Sequence, residues 1–294
     1  MCKRNILIIV FVIIGGELFG RLFGLGFPLL FKESDNYEYS LKENQVINRF
    51  FNNITTNEYG MRASPNAGDR YDYLIIGDSV VNGGASIDDN ELASSLLSDF
   101  LIEHKQRKVI VGNVSAASWG VENQYKFIVE YKLKAKVRSY LVLNSEDRYD
   151  VPDFDSFAKK KIRDENYYLA YHEIISKLGG YFFSNKEKVA VVDVEERETR
   201  VVHYINEIID LLSADSDLVV LFHPKRSEIK DDLVENNKDW LWLKNIVERK
   251  GVALCNLGGV YKDNMYLDDI HLNASGQAAL FDAIKYYEIN SKCH

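Results

Sequence analysis

From residue 71 onward the apolar positions alternate between short blocks and helical spacings. Tyr73-Leu74-Ile75-Ile76 is a compact run rich in β-branched and aromatic residues, stopped by Gly77, and reads as a buried strand. Asp88 or Asp89 then caps a predicted helix with apolar positions Leu92, Leu96, Leu97, Phe100 and Leu101. Lys108 to Asn113 predicts a second strand, Glu122 to Lys136 a helix, and Tyr140 to Leu143 a third strand. Val194 to Leu212 predicts a helix, Asp217 to Phe222 a fourth strand, Asp231 to Glu248 a helix and Val252 to Cys255 a fifth strand. Asn273 caps a last helix containing Ala278, Leu280, Phe281, Ala283 and Ile284.

Strand and helix in regular alternation call for a parallel sheet covered on both faces, a three-layer α/β/α sandwich built on five strands. Residues 151 to 190 break the pattern with clustered aromatics (Tyr167, Tyr168, Tyr171, Tyr181, Phe182 and Phe183) and predict a helical insertion near the mouth of any site. Residues 32 to 70 are polar and asparagine-rich and read as a spacer lying partly on the surface of a domain spanning 71 to 294.

The first 31 residues differ in kind. Lys3 and Arg4 precede Ile6 to Ile14, which is apolar on every side; Glu17 and Arg21, four apart on a helix, interrupt before the glycine-rich stretch Leu22 to Phe31. A cleaved signal peptide and a buried core helix are alternatives, but there is no evident small-x-small cleavage site. An uncleaved single-pass membrane anchor fits best. Lys3 and Arg4 then hold the terminus in the cytoplasm and put the rest of the chain outside.

Composition narrows the function. A formal charge of -8 with no basic stripe argues against a nucleic-acid binder. Hydrophobic residues at 46% and charged residues at 27% give enough apolar chain for a sizeable core. Cys2, Cys255 and Cys293 lie far apart and make neither a zinc motif nor a disulfide framework. A Cys255–Cys293 bridge is compatible with an oxidising compartment, and unpaired thiols are the default reading. There is no phosphate-cradling glycine loop and no ligand cluster, so neither nucleotide nor metal is implied.

Ser79, in Gly77-Asp78-Ser79, stands just past a strand end, at the rim where open α/β sheets place their ligands. A nucleophilic serine needs a base. Of the six histidines, His104, His172 and His203 fall within or at the end of helices, and His294 is terminal. His223 closes the fourth strand on the same sheet edge as Ser79 and is a candidate site-lining residue. His271 is the best base: it precedes the last helix, and Asp268 three residues earlier can reach its Nδ1, leaving Nε2 for the serine hydroxyl. Asp269 is the other possible orienting carboxylate, but on a tight turn it points elsewhere.

Gly77-Asp78-Ser79 after the first strand, with Asp268-x-x-His271 near the C-terminus, resembles the SGNH/GDSL esterase and acyltransferase family. The resemblance covers residues 71 to 285 and implies a flavodoxin-like fold and Ser79, His271 and Asp268 as a triad. It also implies an oxyanion site made by the Ser79 and Gly120 N–H groups and a third-block asparagine, with Asn113 in the second block. The third block departs from the family's Gly-x-Asn-Asp, reading Leu143-Asn144-Ser145-Glu146-Asp147, so Asn144 or Glu146 holds the asparagine's place. The lead-in Asn57 to Arg62 resembles that of membrane-anchored members encoded with bacterial surface polysaccharides. The expected activity is removal of small O-acyl groups, acetyl above all, from a cell-surface glycan outside the cytoplasm. Transfer to a sugar hydroxyl by the same triad is the first alternative, and a non-catalytic glycan-binding or assembly role on the same fold the second.

Overall fold

A computed structural model describes residues 3–152, 163–182, 193–230 and 236–293. Its centre is a five-stranded parallel sheet made of β5 (Arg70–Gly77), β6 (Val111–Ser115), β7 (Lys134–Asn144), β8 (Asp217–His223) and β9 (Ala253–Asn256), in the spatial order β6-β5-β7-β8-β9. The order reverses at β5, and the crevice between the carboxyl ends of β5 and β7 is the topological switch point of such a sheet.

The two sheet faces divide the core, because successive strand residues point in opposite directions. Leu74, Ile76, Leu141, Leu143, Val220 and Phe222 pack against α4 (Val121–Tyr131), α6 (Val194–Ser213) and α8 (Lys238–Arg249). Tyr73, Ile75, Tyr140, Val142, Val219 and Leu221 pack against α3 (Ala93–Lys105) and α9 (Ala274–Asn290). Strands buried on both faces must be apolar at nearly every position, as Tyr73–Ile76 of β5, Tyr140–Leu143 of β7 and Leu218–Phe222 of β8 are. The predicted second helix is shorter than expected at its C-terminus. Lys132 takes a left-handed cap at φ 53°, and β7 then starts at Lys134, six residues before the predicted strand.

The expected spacer is instead part of the core. It folds into two antiparallel hairpins, β1 (Phe31–Ser34) with β2 (Glu38–Leu41) and β3 (Val46–Arg49) with β4 (Asn52–Thr55). Tyr37, Tyr39, Leu41, Ile54 and Met61 from this region are buried. Polar side chains tie it down: the Asn57 Oδ1 accepts the Met61 N–H at 2.9 Å, and its amide donates to the Tyr71 hydroxyl at 3.0 Å. Arg62 is fully buried and donates to Asp89 at 2.9 Å, to the Asn82 carbonyl at 2.9 Å and to the carbonyls of Gly84 and Ile87. These acceptors form the segment that follows Ser79, so the lead-in braces the nucleophile's loop.

The N-terminal segment forms α1 (Lys3–Leu22), and among the described residues no helix is long and apolar enough to cross a membrane. Its last turn is docked on the domain. The Glu17 carboxylate accepts the N–H groups of Ala170 at 2.8 Å and Tyr171 at 3.2 Å, capping α5 (Ala170–Phe182). Arg21 pairs with Glu17 at 2.9 Å and donates to the Tyr168 carbonyl. Gly20 lets the two helices meet, since a Cβ there would stand 2.9 Å from the Ala170 Cβ. A buried Arg49–Glu173 pair, with Arg49 also donating to the Gly24 carbonyl at 2.8 Å, fastens the β3–β4 hairpin to the same junction. Of the predicted helical insertion, α5 lies within the described residues; Phe183 and residues 231 to 235 of the expected later helix lie outside them.

Cys255 and Cys293 are joined in a disulfide, where free thiols were the default expectation. The tail after α9 folds back along the edge strand β9 and brings the two sulfurs together. The bridge closes a sequence separation of 38 residues, worth roughly 2–4 kcal/mol by the chain-entropy account. Cys293→Ser is expected to lower the unfolding free energy of the oxidised protein, read from urea denaturation, by that amount and the midpoint with it, and wild type under reductant should match the variant. Equal midpoints in oxidised wild type and variant would exclude a stabilising bridge.

Candidate active site

Strand β5 ends at Gly77 and the chain turns directly into α2 (Ser79–Asn82). Glycine is required at this turn, because a Cβ would stand 2.5 Å from the Val81 Cγ2. Asp78 caps the helix, its Oδ1 accepting the Val80 N–H at 2.8 Å. Ser79 is the first helical residue, so its N–H has no acceptor within its own helix and is free to point at a ligand.

The serine meets a histidine from the far end of the chain. Ser79 Oγ lies 3.0 Å from His271 Nε2, and His271 Nδ1 lies 2.7 Å from Asp268 Oδ2. An ionised Asp268 accepts the Nδ1 proton, which leaves Nε2 as the acceptor for the serine hydroxyl. The other Asp268 oxygen accepts the N–H groups of Ile270 at 2.9 Å and His271 at 2.8 Å. Partial burial raises the Asp268 pKa, but these N–H donors and the imidazole outweigh it and hold the carboxyl at about 2.

The loop carrying His271 is pinned on three sides. Leu267 N–H donates to the His271 carbonyl at 2.7 Å, and Tyr266 pairs with Leu272 across its base. Asp269 turns away from the imidazole: its carboxylate accepts the Ser227 N–H at 3.0 Å and hydroxyl at 3.1 Å, and its carbonyl accepts the Arg226 N–H at 2.7 Å. His223 supplies the third tie. It does not line the site; it is fully buried, and Nε2 donates to the Ile270 carbonyl at 2.8 Å. Its ring lies between Tyr261 and Tyr266, at centroid distances of 5.1 and 5.6 Å. Loss of water pushes its pKa down to about 4, so it is a neutral donor.

At the end of β7, Asn144 donates from Nδ2 to Asp78 Oδ2 at 2.9 Å and accepts the Glu146 N–H at 2.7 Å. Its own N–H donates to Asp147 Oδ2 at 2.6 Å. An amide nitrogen carries two hydrogens, and Asp78 takes one, so the second remains for a ligand beside Ser79. Glu146 is exposed and pairs with Lys225 at 2.9 Å, so Asn144 rather than Glu146 sits beside the nucleophile turn. Burial pushes the Asp78 pKa up to about 6, against the pull of the Val80 N–H and the His271 charge. Asp147 is held well above the usual carboxylate range by burial and by the Asp78 charge.

Two expected residues do other work. The Gly120 N–H donates to Asn123 Oδ1 at 3.1 Å at the start of α4, so it is engaged as a helix cap and not presented to an oxyanion. Asn113 is wholly buried, its amide donating to the Val81 carbonyl at 3.1 Å and Ser94 Oγ at 3.0 Å, which secures α2 and α3 to β6. Asp78, Asp147 and Arg62 went unremarked as site residues in the sequence. The one local signal was Asn144-x-x-Asp147, an asparagine followed by an acid at turn spacing. Among the described residues no group of three or more His, Cys, Asp or Glu is arranged to hold a metal ion.

No family model matches the chain, and no curated protein matches it. Solved structures do resemble it in part. A lipase/acylhydrolase from Enterococcus faecalis is 12% identical with a TM-score of 0.44, covering 76% of this chain and 97% of its own. A member of the lipolytic protein G-D-S-L family from Veillonella parvula is 12% identical at a TM-score of 0.42, covering 74% and 97%. An α/β hydrolase from the metagenome of Lake Arreo, Spain, is 14% identical at 0.43, covering 75% and 94%.

The buried neutral His223 sets a pH dependence. Its pKa falls from 6.5 to about 4 on folding, so below about pH 6.5 the unfolded chain binds a proton that the folded chain refuses. Stability from this residue is full above about pH 6.5 and is lost as pH falls towards about 4, by up to about 3 kcal/mol. His223→Gln keeps a donor for the Ile270 carbonyl and removes the titration. Its unfolding free energy is expected to change less than that of wild type between these pH values; parallel pH curves would contradict this account.

Proposed function

We propose that this chain is a serine ester hydrolase of the SGNH/GDSL superfamily. The observation that carries the reading is the continuous chain Ser79 Oγ–His271 Nε2, 3.0 Å, and His271 Nδ1–Asp268 Oδ2, 2.7 Å, at the topological switch point of the sheet. His271 removes the Ser79 proton as Oγ bonds to the ester carbonyl carbon. The resulting oxyanion faces the Ser79 N–H and the free Asn144 amide hydrogen. His271, now protonated, gives its proton to the departing alcohol as the carbonyl–oxygen bond breaks, leaving an acyl-Ser79. Water, deprotonated by His271, attacks that acyl group and releases the acid. Each oxyanion donor contributes about 3 kcal/mol to lowering such a barrier.

Water is favoured over a sugar hydroxyl as acceptor because the reacting base stands open to solvent: the side chains of His271 and Asp268 are 42% and 57% exposed. The substrate we propose is a small O-acyl ester, acetyl in particular, on a cell-surface glycan, on the resemblance of the nucleophile block and of the Asn57 to Arg62 lead-in. The domain's place is outside the cytoplasm, which the Cys255–Cys293 bridge supports, since such bonds persist in oxidising compartments.

The full chain is expected to hydrolyse p-nitrophenyl acetate, with kcat lowered by about 10⁴-fold or more in Ser79→Ala and about 10⁴-fold in Asp268→Asn. Intact-mass analysis of a rapid quench should find the acyl group on Ser79 in wild type. A wild-type rate no faster than Ser79→Ala, with no acyl adduct, would overturn the hydrolase reading. Acylated glycan formed faster than free acid would move it to acyl transfer.

A further inference from the structure

The apolar surface around α1 is not confined to one face of the helix. Val10, Phe11, Val12, Ile13 and Ile14 are five consecutive helical residues, each between 46% and 78% exposed. Consecutive helix positions are rotated by about 100°, so five of them sweep the full circle. A second copy of the chain, or a partner protein, covers one face of a helix and leaves the opposite one wet. A helix apolar on every side is enclosed either in a large protein core or in lipid, and lipid hydrocarbon encloses it without several protein partners having to meet around it.

The patch also reaches beyond α1. Phe23, just past the helix, meets Phe19 at 4.8 Å and Phe51 at 5.2 Å between ring centroids, which joins α1 to the tip of the β3–β4 hairpin. Phe50 and Phe51 are exposed at that tip, and Ile175 and Leu178 are exposed on α5, which packs along α1. Three of the charged groups at this junction are turned inward, Glu17 capping α5 and Arg49 and Glu173 buried together, while Lys177 on α5 is exposed and pairs with Glu173 at 2.8 Å. Contiguous apolar patches beyond a few hundred Å² mark interaction or membrane sites, and here exposed apolar side chains from three segments lie together.

We propose that α1, the Phe50–Phe51 hairpin tip and the outer face of α5 form one lipid-docking surface, with α1 immersed in bilayer hydrocarbon and the other two at the headgroup boundary. The net charge of -8 leaves apolar burial rather than attraction to anionic lipid as the driving force, so zwitterionic vesicles suffice. The hairpin is itself bonded to the segment following the nucleophile: Asn52 donates to the Ala85 carbonyl at 3.0 Å and the Asn53 N–H to Asp88 at 2.7 Å. Docking therefore fixes the catalytic turn relative to the bilayer, instead of letting the domain swing from α1 alone. The proposal stands independently of the hydrolase reading.

The test uses the full chain in phosphatidylcholine vesicles, on a Cys2→Ser background, with a nitroxide attached to Phe51→Cys, Ile175→Cys or, as a water-exposed reference on α9, Ile289→Cys. These side chains are all more than half exposed, so the substitutions leave the core untouched. The ratio of oxygen to nickel-chelate accessibility is expected to be several-fold higher at positions 51 and 175 than at 289. Equal ratios at all three positions would mean that the hairpin and α5 face water, and would overturn the proposal. Low accessibility to both reagents at 51 and 175 would mean that protein covers the patch, and would overturn it in favour of a second copy or partner.

Discussion

One partly buried carboxylate holds the site together. Asp78 sits where β5 becomes α2, and its two oxygens point to different elements: one caps the helix that begins with Ser79, the other holds the amide of Asn144 at the end of β7. The two strand ends at the switch point are thereby locked in register across the crevice in which the ester must lie. A carboxylate stripped of water is costly, and its raised pKa records that cost. The donors from Val80 and Asn144 offset it only if both are in place, so the geometry that makes Asp78 tolerable is the geometry that aims Ser79 and Asn144.

The same division of labour recurs around the base. Asp268 and His271 lie in a short loop that regular secondary structure does not support, and such a loop would ordinarily sample several shapes. Its carbonyls and the neighbouring carboxylate are spent on anchors: Ile270 on His223, Asp269 on the start of α7 (Arg226–Lys230). The imidazole thus stays free to carry protons while the backbone beneath it is fixed. On the nucleophile side Arg62 acts likewise, taking three carbonyls and Asp89 from the end of α2 and the segment after it. Preorganisation of this kind is what lets a serine and a histidine nearly two hundred residues apart stand at bonding distance before substrate arrives.

The strand–helix alternation, Ser79 at a strand end and the Asp268–His271 spacing could be read from the chain because each is a local pattern with a characteristic period or position. Residues whose partners are distant were not legible. His223 ends a strand on the edge expected for a ligand contact, yet its ring turns into the core, a choice made by Tyr261, Tyr266 and a carbonyl 47 residues away. Gly120 looks like a free backbone donor until Asn123 folds back to cap it. The segment from 32 to 70 reads as spacer because the strands it forms are four residues long and its apolar weight is in tyrosines. Their hydroxyls find partners only once the domain has folded, as Tyr39 does at the Ala117 carbonyl.

The Cys255–Cys293 bridge has a topological consequence. The chain between the two sulfurs contains Asp268, His271 and all of α9, so base and orienting acid belong to a covalently closed ring whose two ends meet at the sheet edge. Proteins open in cooperative pieces, and an edge strand together with a chain terminus is a natural piece to detach first. With its ends tethered, this piece cannot drift away as a free tail. Any excursion that separates His271 from Ser79 is a breathing of the ring against the sheet, with a short return path, and the catalytic pairing re-forms without searching the conformations of a loose terminus.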